Sequence, residues 1–317
     1  MSFHVVYTDH GFPESDVERS IIEAAGGTLE VIQARTEDDI IEQAASADGL
    51  LVQWAPITRK VLESLPNCKI VVRLGIGVDN VDVSAASDHG VRVCNVPDYC
   101  IDEVADHAMA LALALARQLI PVDRRVRNGN WAIIPPAPLP SFSSMTFGLA
   151  GFGRIARGVA RRARAFGFRV SGYDPFANEV DFKNRGVERV SLEDLLIGSD
   201  ILSLHCPLTD ETRHMIDESV LFKMKSNAIV INTARGGLID LKALAAALKT
   251  GQISSAGLDV FETEPLGADH PICKCDSAIL TSHISWFSNS SIPELQRKAA
   301  EEIVRGLLGD PLVSPLN

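Results

Sequence analysis

The chain has 317 residues, enough for two domains of ordinary size. Hydrophobic residues make up 46% and charged residues 22%, the balance of a globular protein that buries a full core. Lys and Arg total 30 against 41 Asp and Glu, and the formal charge of -11 argues against a nucleic-acid partner.

The N-terminal residues carry no basic stretch followed by an apolar run, so no secretory leader is expected. Phe3 to Thr8 reads as a strand, and Ser15 to Ala25 as a helix closed by Gly26 and Gly27. Leu29 to Ala34 is strand-like, and Thr36 is placed to cap a helix running to Ala47. Gly49 to Trp54, Lys69 to Leu74 and Val91 to Val96 are further apolar, β-branched strands. A long helix is predicted from Asp102 to Leu119. Its most apolar run, Ala108 to Ala116, is far short of the roughly 20 residues that span a bilayer, so no membrane partner is expected. The Pro- and Gly-containing stretch Arg127 to Ser144 reads as irregular connection.

A second strand–helix series opens at Thr146 to Gly151. It continues through Phe168 to Asp174, Asp200 to Cys206, Ala228 to Ala234, Ser255 to Phe261 and Ser277 to His283, before a last helix from Pro293 to Leu308. Short buried strands alternating with helices predict an α/β fold with parallel sheets covered on both faces. The six cysteines include no CxxC pair, and Cys273 and Cys275 have no second pair at zinc spacing. Reduced thiols in a cytoplasmic protein, and no metal, are expected.

Gly151, Phe152, Gly153, Arg154, Ile155 and Ala156 form a GxGxxG/A segment between a strand and a helix. The first Gly permits a tight turn, the second admits a pyrophosphate close to the backbone, and the third position must stay small for helix–strand packing. The helix N-terminus offers free N–H groups to the phosphates. Asp174 ends the next strand, about 20 residues on, where an acidic residue accepts from the adenosine ribose. It also repels a 2′-phosphate, and Asp174-Pro175-Phe176 includes no cation, so NAD is favoured over NADP. Asp174 has an ordinary alternative as a strand-end turn residue.

Three later strand ends carry polar residues that a sheet does not need: Arg235, Glu264 and His283. An Arg fork can hold a substrate carboxylate. A His can exchange a hydroxyl proton near neutral pH, and a carboxylate beside it orients it and favours its protonated form. Singly, these residues could be an ion-pair residue, a solvated loop charge and a satisfied histidine. Together, at successive strand ends after a dinucleotide fingerprint, they point to chemistry.

The segments VVRLGIGVDNVDV, GLAGFGRIARGVARRARAFGF, LHCPLTDETRHMI, VINTARGGLIDLKALAAAL, AGLDVFETEP and HISWFS resemble, in this order, the D-isomer-specific 2-hydroxyacid dehydrogenase family. The branch containing the C-terminal-binding-protein corepressors looks closest. The resemblance implies two Rossmann/flavodoxin-like domains: a discontinuous substrate domain of residues 1–99 and 284–317, and an NAD-binding domain of residues 100–283 inserted into it. It implies an NAD-dependent oxidoreductase acting on a small 2-oxo/2-hydroxy acid of glyoxylate, hydroxypyruvate or pyruvate type. The D configuration is inherited from the family.

By the resemblance, Arg235 binds the substrate carboxylate, and Glu264 partners the acid/base His283. Asp259 contacts the nicotinamide amide. Thr233, Ala234 and Arg235 lie along the nicotinamide, with Val104 over one of its faces, and His283 is a further cofactor-binding residue. Cys206 and Pro207 belong near the adenine, Thr212 and Pro175 are further cofactor-binding residues, and Arg154 and Ile155 donate to pyrophosphate. Ile76 and Gly77 offer backbone N–H groups to the substrate. Trp286 resembles the substrate-facing Trp of the corepressor branch, and Trp54 is a second candidate wall; both have packed-aromatic alternatives.

A homodimer through the nucleotide domains is also implied, with the long helix and the Trp131 region at its interface. The Pro-rich run from Pro135 to Ser144 and Ser282 before His283 depart from the family pattern. No C-terminal regulatory domain is expected, which argues against phosphoglycerate as substrate. Corepressor relatives keep such residues too, so an NAD(H)-sensing binding protein is the alternative class. Glu264, where a formate-type enzyme would carry Gln, argues against that branch.

Overall fold

The computed structural model describes residues 2–135 and 137–317. Pro136, within the Pro-rich run, lies outside the described residues. The chain divides into two compact units, one reaching Tyr99 and resuming as Ser288–Asn317, the other Cys100–Phe287.

The first unit opens as β1 (His4–Tyr7), α1 (Asp16–Ala24), β2 (Thr28–Val31), α2 (Glu37–Gln43), β3 (Gly49–Val52), α3 (Arg59–Ser64), β4 (Ile70–Arg73), α4 (Val83–Asp88) and β5 (Arg92–Cys94). All five strands are parallel, in the order β2-β1-β3-β4-β5. This order has its switch point between β1 and β3. Alternate residues Val6, Leu50, Val52, Val71 and Val93 join one buried cluster with residues of α2, α3 and α4, as the period of a two-sided parallel strand requires. The Thr36 hydroxyl accepts from the Asp39 N–H, and the Asp39 side chain accepts from the Thr36 N–H, so the expected cap forms a capping box. α2 ends before the expected Ala47: the Asp48 carboxylate accepts from the His4 N–H (2.9 Å) and the chain turns into β3.

The second unit runs α5 (Ile101–Ala116), α6 (Leu119–Arg127), β6 (Thr146–Ala150), α7 (Arg154–Ala165), β7 (Arg169–Tyr173), α8 (Glu179–Lys183), β8 (Glu188–Arg189), α9 (Leu192–Gly198), β9 (Ile201–Leu204), α10 (Glu218–Lys223), β10 (Ile229–Asn232), α11 (Leu241–Thr250), β11 (Ser255–Leu258) and β12 (Ala278–Leu280). Its seven strands are also parallel, in the order β12-β11-β10-β9-β6-β7-β8. Phe147, Leu149, Ile201 and Ile231 pack with α5 and α7 on one face, while Ala150, Leu202, Leu204 and Val230 pack with α9, α10 and α11 on the other. The expected α/β class with helices on both faces is observed. The long helix stops earlier than Leu119, where Gln118 adopts the left-handed φ of 52°. The chain then re-enters a helix, α6, which the sequence did not announce. Pro121 sits in its first turn, where a missing N–H leaves no bond unmade.

The chain returns to the first unit as α12 (Ser291–Leu308), which packs on α1, β3 and β4. Among the described residues no helix is long and apolar enough to cross a membrane, and no His/Cys/Asp/Glu cluster could hold a metal.

Candidate active site

The switch point of the second sheet lies between β6 and β9, from which the strand order runs outward in both directions. Ligands of open α/β sheets bind outside the carboxyl ends of the strands at such a point. Gly151 leaves β6 with φ 95°, and a Cβ there would lie 2.7 Å from the His205 backbone that follows β9. Only glycine fits that turn. Gly153 has open space where a Cβ would stand. It caps α7 without a side-chain hydrogen bond, and the first turn holds no acidic residue. The helix therefore presents uncapped N–H groups and its positive end, from Arg154 and Ile155, to the crevice. Ala156 is fully buried, as the packing position must be.

Asp174 follows β7. Its carboxylate accepts from the N–H groups of Phe152 (2.7 Å), Phe176 (2.8 Å) and Ala177 (3.1 Å). These bonds fix Asp174 beside the glycine turn, while Pro175 and Phe176 are exposed. On the other side of the crevice, burial pushes the Cys206 thiol up to about 11, so it stays neutral. Thr212 holds its own loop: its hydroxyl donates to the Pro207 carbonyl (2.7 Å) and accepts from the Thr209 N–H (2.7 Å). Thr233, just past β10, is buried with a hydroxyl that has no hydrogen-bond partner. An open glycine cradle, an uncapped helix end and an orphaned hydroxyl fit a dinucleotide.

The same sheet edge carries the three polar strand ends. After β10, the buried Asn232 amide accepts from the Ala234 N–H (3.0 Å) and donates to the Arg235 carbonyl (2.9 Å), setting the turn that bears Arg235. The Arg235 guanidinium donates to the Ala234 carbonyl at 2.6 Å. A Cβ at Gly236 would meet the Phe261 backbone at 1.9 Å, so the turns after β10 and β11 lie against each other.

Past β12, the N–H groups of Thr281 and His283 donate to the carbonyls of Leu258 (2.9 Å) and Asp259 (2.8 Å), extending the ladder to His283. His283 then takes a φ of 56°, uncommon for a residue with a side chain. Its Nδ1 lies 2.7 Å from Glu264 Oε2, and Glu264 Oε1 accepts from the Phe261 N–H at 2.9 Å. Burial raises the Glu264 carboxyl, but the His283 and Phe261 hydrogen bonds outweigh it and hold the group below its usual range. The Trp286 indole N–H donates to the His283 carbonyl (2.8 Å).

Asp259 is fully buried. Its carboxylate accepts from the Thr281 hydroxyl (2.5 Å) and the N–H groups of Ile284 (3.0 Å) and Ser285 (2.9 Å). Burial raises it, and these donors more than compensate, so it stays ionised. Val104 is buried on α5. In the first unit, Ile76 and Gly77 follow β4 and Trp54 follows β3. The Ile76 carbonyl accepts from the Asn95 amide (2.6 Å), and Trp54, 56% exposed, donates its N–H to Asp9 (2.7 Å). Two polar groupings of the second unit have no local sequence signal: the His107–Thr281 contact with Asp259, and a second histidine–carboxylate pair, His214 with Glu262, at 2.6 Å.

The family model for the D-isomer specific 2-hydroxyacid dehydrogenase NAD-binding domain matches residues 109–285, more than half of the chain. The chain is 42% identical over 269 residues to the glyoxylate reductase of Korarchaeum cryptofilum, covering 84% of this chain and 81% of that one. It is 39% identical over 290 residues to the D-3-phosphoglycerate dehydrogenase of Methanocaldococcus jannaschii, covering 90% of this chain but 54% of that one, so it spans about half that relative's length. An acyclic imino acid reductase solved with NADPH and D-Arg superposes with a TM-score of 0.89 at 30% identity, covering 99% of this chain and 100% of that one. The chain belongs to the D-isomer-specific 2-hydroxyacid dehydrogenase family and contains its NAD-binding domain.

Proposed function

We propose that the chain exchanges a hydride between NAD(H) and a small 2-oxo/2-hydroxy acid, with Arg235 holding the carboxylate and His283 exchanging the proton. The 2.7 Å contact of His283 Nδ1 with Glu264, on the sheet edge that carries the dinucleotide crevice, is the observation that carries this reading. Because Glu264 engages Nδ1, Nε2 is the nitrogen that meets the substrate oxygen. In reduction, the imidazolium gives its Nε2 proton to the carbonyl oxygen as hydride reaches the carbonyl carbon, and the imidazole is left neutral. In oxidation the same nitrogen removes the hydroxyl proton. Glu264, held below its usual range, orients the ring through Nδ1. The nicotinamide cofactor, when bound, supplies or takes up the hydride.

Arg154 and Ile155 would donate N–H groups to the pyrophosphate, Cys206, Pro207 and Thr212 would border the adenine, and Val104, Thr233, Ala234 and Asp259 the nicotinamide. Asp174 favours NAD over NADP by charge, although a relative was solved with NADPH. Glyoxylate, hydroxypyruvate and pyruvate are the substrates of choice, in keeping with the glyoxylate reductase relative, and the D-isomer is the family's configuration. The six free thiols suit the cytoplasm. Trp131, Ile133 and Ile134 are 82%, 92% and 80% exposed, an apolar cluster that a homodimer would cover; sedimentation as a monomer would remove that assignment.

The reading is tested by Arg235→Ala and His283→Ala. Each should lose at least about a hundredfold in kcat/KM while still binding NADH. Wild-type turnover in both folded variants overturns the assignment.

A further inference from the structure

The geometry points to His107 as a positioning residue that locks the turn carrying His283. His107 lies on α5, and its Nε2 is 3.0 Å from the Thr281 hydroxyl. That hydroxyl has one proton, and it donates it to Asp259 Oδ1 at 2.5 Å. The contact with His107 is therefore made by a Thr281 lone pair, so His107 Nε2 must carry a hydrogen. The imidazole also lies 3.8 Å from the same carboxylate oxygen.

Asp259 sets the His283 turn from three directions. Its carbonyl accepts from the His283 N–H, Oδ1 accepts from the Ile284 N–H, and Oδ2 accepts from the Ser285 N–H. Those bonds bracket a histidine held at a φ of 56°, a conformation that needs support from its surroundings. α5 packs on β10 and β11. It thus supplies the fixed end of a chain that runs His107, Thr281, Asp259 and then the backbone of residues 283–285. The relay orients the carboxylate, the carboxylate orients the turn, and the turn aims the imidazole at Glu264. His107 itself touches no reacting atom.

The inference is tested with His107→Phe, which keeps a ring but no donor, and His107→Gln, whose amide nitrogen can take the place of Nε2. Amide hydrogen exchange by NMR reads the turn without reference to catalysis. In His107→Phe, protection at Ile284 and Ser285 should fall by about tenfold or more, while β10 amides keep wild-type values; His107→Gln should restore it. Equal protection in His107→Phe and wild type, or an equal loss at every amide, overturns the inference. The catalytic consequence rests on the function proposed above. In reduction of a 2-oxo acid, His107→Phe should lower kcat at least fivefold and change KM less than twofold, with His107→Gln close to wild type. If the wild-type protein reduces no 2-oxo acid, the functional reading fails, and amide protection alone still decides the role of His107.

Discussion

The imidazole of His283 and the carboxylate of Glu264 meet at 2.7 Å although they leave different strands of the sheet, β12 and β11. Glu264 is placed by the Phe261 N–H and His283 by its ladder bond to Asp259. Glu264→Gln should keep the ring in place and remove the negative charge beside its Nδ1. The expected result is a kcat for 2-oxo acid reduction lowered by about tenfold to a thousandfold with little change in melting temperature. Steady-state kinetics on the folded variant checks this; unchanged kcat would detach Glu264 from the chemistry.

The two fingerprint glycines should separate stability from binding. Gly151→Ala forces a side chain into φ 95° and against the His205 backbone, and should cost on the order of 1–3 kcal/mol. Gly153→Ala enters open space, so its melting curve should overlay that of wild type. NADH affinity should nevertheless fall by about tenfold or more. Thermal melts and NADH fluorescence titration together test the pair, and unaltered affinity in Gly153→Ala would remove the phosphate cradle.

Asp174 is predicted to set the choice of cofactor. Asp174→Asn can keep an acceptor for the backbone amides and loses the charge that opposes a 2′-phosphate. The ratio of kcat/KM for NADH over NADPH should shrink by about tenfold. A ratio unmoved by the substitution would place cofactor preference elsewhere.

In the first unit, Glu18 is fully buried on α1, where its carboxylate accepts from the Gln296 amide of α12 (3.0 Å) and faces Tyr7 of β1. Burial raises it from 4.5 to about 7. Between those values the folded chain binds a proton that the unfolded chain has released, so stability falls as pH rises through the window and stays low above it. One proton held in this way makes stability fall by ~1.4 kcal/mol for each pH unit crossed. Glu18→Gln should remove that slope, raising the melting temperature at pH 8 and leaving it near wild type at pH 4.5. Parallel melting profiles for the two proteins across this range would contradict the assignment.

The fold was legible because its signals are local. Val71 and Leu202 belong to continuous apolar runs that only a two-sided parallel strand requires, and Gly151 and Asp174 stand at the spacing that a dinucleotide turn imposes. Arg235, Glu264 and His283 stood out as polar residues at ends of apolar strands. Other features depend on distant partners. α6 follows a left-handed Gln118 that no neighbouring residue demands, and β8 is a pair of exposed residues that joins the sheet by pairing with β7. Asp259 could be named from its motif, but its three donors come from residues 281–285, and His107 from a helix more than a hundred positions away. Nothing within a helix or strand period links those positions.

Hydride exchange with a 2-oxo acid is read most directly as the loss of NADH absorbance with purified protein and a panel of glyoxylate, hydroxypyruvate, pyruvate and longer 2-oxo acids, with NADPH in parallel. Turnover of at least one short acid, with NADH preferred, is the predicted result. Tight NADH binding with no turnover of any acid in the panel would contradict hydride exchange and favour a dinucleotide-sensing role for the fold.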